Sequence, residues 1–298
     1  MSELDPATTL ADIFAAALYT PAVTFQSTSP QVGTWARPLR THSGVFDVYC
    51  PGCGKHATYR YAPDSDVLQA DARLRKGMGG DGDVGLFATF PFRITARCTR
   101  NASHSVEQWV RLSSKTAGKN FEGDTLYDRS LSKIGQHPSL TDFQLGDLGE
   151  FESAMTKTQR REFVQAINSA AHGYSVAACT YLRRVFEQLL KEARDAHIAE
   201  HGLKDWPEFR AAKTDERIKL VRDRLPAFLS EHPQLYGLLS LGVHELSDEE
   251  CAREFPLLRQ AIELIFTEKA NAARREKARL AAQKLIDQAG DRYKDRAD

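Results

Sequence analysis

Apolar residues recur with two different periods along this chain, and the change of period divides it in two. From about residue 31 to 113 apolar and polar residues alternate, which is the spacing of strands that bury one face. From about residue 146 onward apolar residues recur every three or four positions, which is the spacing of helices that bury one face. The pattern therefore predicts an α+β protein, with an antiparallel β module first and a helical domain second.

The strands of the predicted β module form two hairpin-like units within residues 31–114. In the first unit Phe46, Val48 and Cys50 share one strand face. In the second unit a longer row of alternating positions shares one face, namely Ala88, Phe90, Phe92, Ile94, Ala96 and Cys98. Residues 1–30 precede the module as an N-terminal helix, expected over residues 8–19, and a Ser-, Thr- and Pro-rich arm.

The two hairpin-like units are joined by residues 62–85, which are rich in glycine between 76 and 85. Glycine-rich loops hold phosphate groups where a strand precedes the loop and a helix follows it. This segment has neither that context nor a Gly-Lys-Ser/Thr sequence. It is therefore predicted to be a mobile hairpin connection.

The helical half follows a predicted linker, residues 115–145, which holds one short helix near residues 127–134. Helices are expected over residues 148–170, 174–200, 214–230 and 233–241. A capping box that starts at Ser247 opens the last long helix. Beyond residue 270 this helix has few apolar anchors, so residues 271–298 are predicted to form a charged helical tail.

Three cysteines and one histidine of the β module have the spacing of a metal site. Cys50 and Cys53 are two residues apart on a turn, and Cys98 and His104 form a second close pair. A closed Cys3His set favours a structural zinc ion, because four protein ligands leave no open position for a water molecule.

The fourth ligand is the least constrained by the sequence. His104 is six positions from Cys98, a looser spacing than the pair on the turn. His56, three residues after Cys53, is the alternative ligand, and His42 is a more distant one.

Composition limits the classes of function. The chain has 298 residues, with 40 basic and 40 acidic side chains. This zero net charge argues against sequence-independent binding of nucleic acid, although it allows a local basic patch. No apolar run approaches the roughly 20 residues of a membrane span, and the N-terminus is acidic. We therefore expect a cytoplasmic protein without a membrane partner. Its five cysteines are expected to be reduced, with Cys179 and Cys251 alone in helical segments.

A local basic patch is a candidate in the second hairpin-like unit. Arg93, Arg97 and Arg100, with Trp109 nearby, could form a basic and aromatic surface for nucleic acid. The simpler interpretation is a solvated strand face with one packed tryptophan, and the sequence alone favours it.

The helical half carries a second group of candidate residues. Arg183 and Arg184 are four and three residues before Glu187, so either arginine can pair with that carboxylate on one helix face. His244 lies just ahead of the capped last helix, where a neutral imidazole is favoured. The candidate acid–base residues are therefore His172, Arg184, Glu187 and His244. A structural network between helices is the favoured interpretation of the same side chains.

The order of these helical motifs resembles the HEPN-like (higher eukaryotes and prokaryotes nucleotide-binding) domains. The matching features are Arg183-Arg184-x-x-Glu187 on one helix, two middle helices, a Leu-Gly-x-His turn that ends at His244, and a last long helix. The resemblance covers roughly residues 146–270 and is strongest to an uncharacterised bacterial branch with an N-terminal zinc ribbon. It implies an up-and-down bundle of four to five helices, usually a homodimer, often tied to RNA cleavage in phage defence or toxin–antitoxin systems.

One motif of the active members differs in this chain. Those members carry Arg-x4–6-His at the start of the final helix, whereas no arginine is at that offset before His244. The only literal match, from Arg194 to His201, is on another helix. The resemblance therefore favours binding over catalysis.

Together the sequence predicts a small zinc-stapled antiparallel β module followed by an up-and-down helical bundle. The favoured function is a zinc-binding, HEPN-like module that binds RNA or another nucleic acid, or mediates an interaction, in bacterial stress or anti-phage defence. A homodimer through the helical bundle is implied by the resemblance. The alternatives are a metal-independent ribonuclease that uses His172, Arg184, Glu187 and His244, and a zinc-ribbon adaptor that contacts only protein.

Overall fold

The computed structural model describes residues 4–28 and 33–294, apart from the side chains at 33–35, 147, 150, 242–244 and 290–294. It divides into two compact units, an N-terminal unit of Met1–Asp147 with Ala171–Gly173 and a C-terminal unit of Leu148–Ala170 with Tyr174–Asp298. The first unit contains the strands and the second is helical, so the α+β class is confirmed. Within the described ranges, no helix combines the length and the hydropathy needed to cross a bilayer.

The N-terminal unit is built on one antiparallel sheet of six strands, in the order β1-β6-β5-β4-β3-β2. The strands are β1 (Pro21–Ser27), β2 (Val45–Cys50), β3 (Lys55–Tyr61), β4 (Phe92–Cys98), β5 (Ser105–Lys119) and β6 (Thr125–His137). The helices of this unit are α1 (Pro6–Ala15), α2 (Gly33–Thr41), α3 (Ser65–Arg75), α4 (Asp81–Ala88) and α5 (Leu140–Gln144).

One face of this sheet carries the apolar core. Alternate residues of β2 to β6 point to that face, and α1, α2 and α5 cover it with Leu10, Ile13, Leu39 and Phe143. The buried sheet residues of the core are Cys50, Ala57, Tyr59, Tyr61, Phe92, Ile94, Ala96, Cys98, Val106, Val110 and Leu131. The alternation predicted for residues 31–113 therefore appears as a sheet with one buried and one polar face.

The connection between residues 62 and 85 is helical, so the prediction of a mobile hairpin connection is wrong. Its residues form α3 and the start of α4, which pack against each other through Val67, Ala70 and Phe87. Asp71 pairs with Arg75 one turn later in α3 and with Arg37 of α2. The glycines between 76 and 85 lie in the short turn between the two helices and in the first turns of α4.

The segment 115–145, predicted as a linker with a short helix, instead contains the end of β5 and all of β6. These two strands pair from Glu107 and His137 to Lys119 and Thr125. The core face of β6 carries Arg129 and Lys133 beside Leu131, which hides the apolar alternation that identifies a strand. Residues 21–27, predicted as part of an arm, form β1 and pair with β6. The β module is therefore larger than predicted.

The C-terminal unit contains seven α-helices and three short 3-10 turns in its described part. The helices are α6 (Lys157–Ala171), α7 (Ser175–Glu200), α8 (Pro207–Ala211), α9 (Thr214–Leu220), α10 (Ala227–Glu231), α11 (Gln234–His244) and α12 (Asp248–Lys294). The turns are Gly146–Glu150, Glu152–Ala154 and Arg222–Arg224, and the first of them begins in the N-terminal unit.

Two of the three long helices of this unit run in one direction, and the third runs in the opposite direction. α7 and α12 run the same way, because Val176 N–H donates to Asp248 near the start of both helices and Lys269 pairs with Glu192 further along both. α6 runs opposite to α7, since Glu162 contacts Arg184 while the ends at 171 and 175 are adjacent in sequence. The antiparallel packing that an up-and-down bundle requires of neighbouring helices is therefore seen for α6 and α7, whereas α7 and α12 pack in parallel.

Several helix boundaries differ from the sequence prediction. The helix expected over 214–230, with an interruption at Pro226, is divided into α9, a 3-10 turn and α10, and the helix expected over 8–19 ends at Ala15. The helix expected over 148–170 begins only at Lys157, because Thr156 caps it. Thr156 N–H donates to Gln159 Oε1 at 2.8 Å and Gln159 N–H donates to Thr156 Oγ1 at 3.2 Å. The last helix continues to Lys294, and the side chains from 271 to 288 are exposed.

Candidate functional site

Three thiols and one imidazole converge at one end of the sheet. Cys50 is the last residue of β2, Cys53 lies in the turn to β3, Cys98 is the last residue of β4, and His104 immediately precedes β5. One ligand atom from each residue lies within 4.8 Å of the other three. The four residues predicted to bind a metal ion are therefore brought together, and they could hold one.

The separations between these atoms fit a tetrahedron around one ion. The Cys53 Sγ is 3.8 Å from the Cys98 Sγ and 3.3 Å from His104 Nδ1, and the Cys50 Sγ is 3.6 Å from the same nitrogen. A tetrahedral ion with bonds of about 2.0 Å to nitrogen and 2.3 Å to sulfur has ligand–ligand edges of roughly 3.5–3.8 Å. The donor set therefore fits a closed four-coordinate site.

Two glycines shape the turn that carries Cys53. The N–H groups of Cys53 and Gly54 donate to the carbonyl oxygen of Cys50, at 3.1 and 2.9 Å. Gly54 has φ of 66°, a left-handed conformation that strains other residues. A Cβ at Gly52 would lie 2.7–2.8 Å from three atoms of the His104 ring. Glycine at position 52 is therefore what lets the imidazole approach the thiols.

Replacing Gly52 by alanine is expected to displace His104 and to weaken metal binding by roughly tenfold or more, the range seen when groups that orient ligands are changed. Competition with a chromophoric chelator measures the affinity. Gly85→Ala is the matched control, because a Cβ at Gly85 meets no atom within 4 Å. Equal affinities for Gly52→Ala and the parent protein would contradict ligation by His104.

The electrostatics of the cluster favour a bound cation. Burial raises the pKa of the Cys50 thiol, but hydrogen bonds from the Tyr59 hydroxyl, at 3.0 Å, and from Cys53 outweigh it and lower the pKa overall. Burial raises the pKa of Cys53, and the neighbouring thiols of Cys50 and Cys98 raise it further. Negative charges this close repel one another, and a bound metal ion would offset that repulsion.

The structure selects His104 over the other candidate histidines. The His104 Nδ1 lies within 3.6 Å of the thiols of Cys50 and Cys53, and Asn101 Nδ2 lies 3.3 Å from the other ring nitrogen, Nε2. His56 is on β3 with its ring 6.0 Å from that of Tyr49, and the His42 ring is 5.5 Å from that of Tyr61. Neither alternative belongs to the cluster.

The two remaining cysteines contact each other, although the sequence suggested that each is alone. Cys179 on α7 and Cys251 on α12 are both buried, and their thiols share a hydrogen bond because the two helices pack side by side. Burial, together with nearby negative groups, raises the pKa of the Cys179 thiol to about 12, and burial raises that of Cys251. Both are therefore weak nucleophiles near neutral pH.

The sheet face opposite the core is polar and carries an exposed aromatic ring. Trp109 on β5 is 44% exposed. Arg93 on β4 is its direct partner across the strands, and Gly135 on β6 is its partner on the other side. A Cβ at Gly135 would lie 3.6 Å from the indole, so the ring packs over the position on β6 that has no side chain. The indole is therefore held in place with much of its surface open to solvent.

Several cations share the polar face with Trp109. Four exposed basic residues have the same strand orientation, namely Arg60, Arg97, Arg111 and Lys115. Among the described residues, none of these four forms an ion pair, whereas Arg93 pairs with Asp64 at 2.8 Å and Glu107 at 3.5 Å. Arg100, the third arginine of the predicted patch, is exposed in the connection from β4 to β5.

The four candidate acid–base residues of the helical half are not brought together by the described contacts. Arg184 contacts Glu162 at 3.6 Å, while Glu187 pairs with Arg183 at 2.9 Å. His172 clusters with the N-terminal unit, unlike Arg184 and Glu187. The side chain of His244 is outside the described part of the structure, although its backbone ends α11. The described contacts thus do not join Arg184 to Glu187.

Two residues of the metal site were missed by sequence reasoning. Tyr59 donates to a cysteine sulfur, and Asn101 lies beside the histidine ring. Tyr59 shares the alternating face that leads to the cysteines, which is the signal that could have identified it. Asn101 lies in an irregular connection, where no periodicity points to a role.

No protein-family model matches this chain, and neither a curated protein nor a solved structure matches it. A functional assignment therefore depends on the geometry of the two surfaces described above, the Cys3His cluster and the polar sheet face.

Proposed function

We propose that the N-terminal unit is a zinc-stabilised sheet domain that binds single-stranded nucleic acid on its polar face. The observation that supports binding is the exposed indole of Trp109, held on a sheet face that also carries four basic side chains without an ion-pair partner among the described residues. Bases stack on aromatic rings of this kind, and arginines beside them neutralise the phosphates. The zinc ion has a structural role in this proposal.

Zinc suits the donor set of the cluster best. Three thiolates and one imidazole in a tetrahedron match a borderline-soft ion without redox chemistry. All five cysteines are free thiols, and a reducing compartment such as the cytoplasm keeps the ligand thiols available. Bound zinc would fasten the β2–β3 turn to the β4–β5 connection, which steadies the strand pair that carries Arg97 and Trp109.

The local charge of the polar face is what makes binding plausible in a neutral protein. The whole chain has equal numbers of basic and acidic residues, so long-range attraction to a polyanion is weak. The cations of the face lie on β3, β4 and β5, on both sides of the indole along the strands. A nucleic acid strand that runs along β4 and β5 can therefore stack one base on Trp109 and place neighbouring phosphates near Arg97 and Arg111.

Replacing Trp109 by alanine is expected to weaken binding of a labelled 15-nucleotide oligo(U) or oligo(dT) by roughly tenfold or more, since one base stack contributes about 1–3 kcal/mol. Fluorescence anisotropy at low salt measures the affinity, and a steep loss of affinity with salt is expected. Phe121→Ala is the matched control, because Phe121 is a fully exposed aromatic residue at the tip of the β5–β6 hairpin.

Two outcomes would overturn this proposal. The first is the absence of saturable binding to either oligonucleotide by the zinc-loaded protein. The second is an equal loss of affinity in the Trp109 and Phe121 variants, which would mean that the ring on the sheet face has no special role.

The HEPN-like relationship of the helical unit stays a prediction, and so does a role in stress or phage defence. The antiparallel packing of α6 against α7 supports a bundle of that kind. The ribonuclease alternative has no support from the described contacts, because Arg184 and Glu187 have different partners. RNA-cleavage assays without divalent metal, with His244→Ala as the variant, test it directly.

A further inference from the structure

The polar sheet face has a hollow further along β5 from Trp109, where β1, β6 and β5 lie side by side. Its volume is about 520 Å³, which is within the range of small-ligand sites. Side chains of the polar face line it, two from each strand, namely Thr24, Gln26, Ser113, Lys115, Asp128 and Ser130. Arg111 lies between this hollow and Trp109 on the same face of β5, so the two features belong to one surface.

The charged groups of the hollow form one row across the three strands. Asp128 of β6 is paired with Gln26 of β1 on one side and with Lys115 of β5 on the other. Side chains directly opposite each other on one face are about 5 Å apart, so one ligand can contact the whole row. The row therefore offers an amide, a carboxylate and an amine in a fixed order.

The carboxylate of Asp128 is oriented by its neighbour but is not neutralised. Gln26 Nε2 donates to Asp128 Oδ1 at 2.8 Å. Within the described ranges, no basic side chain forms an ion pair with Asp128. A negative group on a face that binds a polyanion opposes the phosphates. Its presence is explained if it contacts hydrogen-bond donors of a base instead.

We infer that this hollow is a guanine-binding pocket within the nucleic-acid site, an inference that rests on the proposed function. A carboxylate offers only acceptors. The Watson–Crick edge of guanine presents two adjacent donors, N1–H and N2–H₂, next to the acceptor O6. The two oxygens of Asp128 accept these two donors, as they would from the fork of an arginine. Lys115, on the neighbouring strand, donates to O6.

The other bases match the same row poorly. Uracil and thymine present one donor between two acceptors, so one acceptor faces an oxygen of Asp128. Adenine and cytosine present one amino group beside a ring nitrogen that accepts, so this nitrogen faces the carboxylate. An acceptor held against an acceptor leaves both without a hydrogen bond, which a binding site penalises strongly. Guanine is therefore the base that the row selects.

The remaining side chains of the hollow do not select a base. Ser130 of β6 is paired with Thr24 of β1 and Ser113 of β5, which gives a second row of three hydroxyls. A hydroxyl both donates and accepts, so this row can satisfy polar groups of either kind on the sugar or the base. The selectivity of the pocket thus depends on Asp128.

Replacing one central uracil of the 15-nucleotide oligo(U) by guanine is expected to raise the affinity of the parent protein roughly tenfold, the discrimination typical of one bidentate base contact. The other bases are identical, so the strand can shift until the guanine lies in the hollow. Asp128→Asn is expected to abolish this gain, because an amide group replaces one acceptor by a donor. It should leave the affinity for oligo(U) itself unchanged or slightly higher. Fluorescence anisotropy measures all four affinities.

Glu122→Gln is the matched control for this experiment. It makes the same change of charge in an exposed side chain at the tip of the β5–β6 hairpin, outside the hollow, so the guanine gain should persist. The asparagine at position 128 keeps an oxygen that can accept from Gln26, so the strand pairing should be unaffected.

The outcomes separate the pocket from the proposed function. Binding of oligo(U) without a guanine gain, a gain that Asp128→Asn retains, or an equal gain from adenine or cytosine would overturn the pocket and leave the function standing. Guanosine monophosphate provides the opposite test by calorimetry. Saturable binding that Asp128→Asn abolishes, in a protein that does not bind oligo(U), would support the pocket and overturn the function. Binding of neither ligand would overturn both.

Discussion

Replacing Cys98 by serine is expected to lower the stability of the N-terminal unit by about 5 kcal/mol or more. Zinc binding contributes roughly 10–16 kcal/mol in small zinc peptides, where folding depends wholly on the metal. Here the sheet also has a substantial apolar core, so part of the stability is independent of the ion. For a unit of this size 5 kcal/mol corresponds to a loss of roughly 10–20 °C in the melting temperature.

Calorimetry of the full chain, together with elemental analysis for one zinc per chain, checks this expectation. Amide exchange should become fast first at the turn after Cys50 and in the connection from Cys98 to His104, the two segments that the ion joins. Chelation of the parent protein should reproduce the shift.

Cys251→Ser is the matched control for this experiment. Cys251 is a buried cysteine in the C-terminal unit, outside the cluster, so its replacement should leave both the zinc content and the first unit unchanged. A parent protein that is metal-free yet melts at the temperature of the metal-loaded form would show that the cluster is not a structural metal site.

Replacing Lys133 by methionine is expected to remove a large pH dependence of stability. Lys133 has no exposed surface, and its Nζ donates to the carbonyl of Phe14 and to Gln136 Oε1, both at 2.8 Å. No carboxylate among the described residues bonds this amine. Burial lowers its pKa from an ordinary value near 10.5 to about 7.

The direction of the pH dependence follows from this lowered pKa. Between pH 7 and about 10.5 the unfolded chain holds a proton on Lys133 that the folded chain has released, so stability rises with pH in that window. The gain relative to Lys133→Met is of the order of 5 kcal/mol across the window. Below pH 7 the amine is protonated in both states, and the difference between the two proteins becomes constant.

Urea denaturation from pH 6 to 10 of the parent protein and of Lys133→Met measures this difference. Titrating cysteines and tyrosines act in both proteins and cancel in the comparison. Lys119→Met is the control, because Lys119 is exposed at the end of β5. Parallel pH curves for the parent and Lys133→Met would show that the buried amine stays charged in the folded protein.

Apolar periodicity predicted those parts of the fold whose buried face is uniformly apolar. The alternation from Phe92 to Cys98 became β4, and the wide apolar stripe from 174 to 200 became α7. Both signals depend on neighbouring positions along the chain, so no knowledge of distant partners is needed. The same reasoning failed for β6, because its core face carries Arg129, whose guanidinium lies over the Tyr127 ring, and Lys133, whose amine bonds to the carbonyl of Phe14 in α1.

The sequence by itself identified the four candidate ligands of a metal ion. Two cysteines that are two residues apart on a turn lie close enough to bind the same ion, whatever the rest of the fold. The sequence left the choice between His104 and His56 open, since loop geometry decides which ring reaches the thiols. Only the tertiary structure decided that choice, because the absence of a side chain at Gly52 leaves room for the His104 ring beside the thiols. The tertiary structure also showed that β1 and β6 belong to the sheet. Helix and strand periodicity depends on residues that are neighbours in the sequence. Strand order and the position of a ligand side chain depend on contacts between residues far apart in the chain.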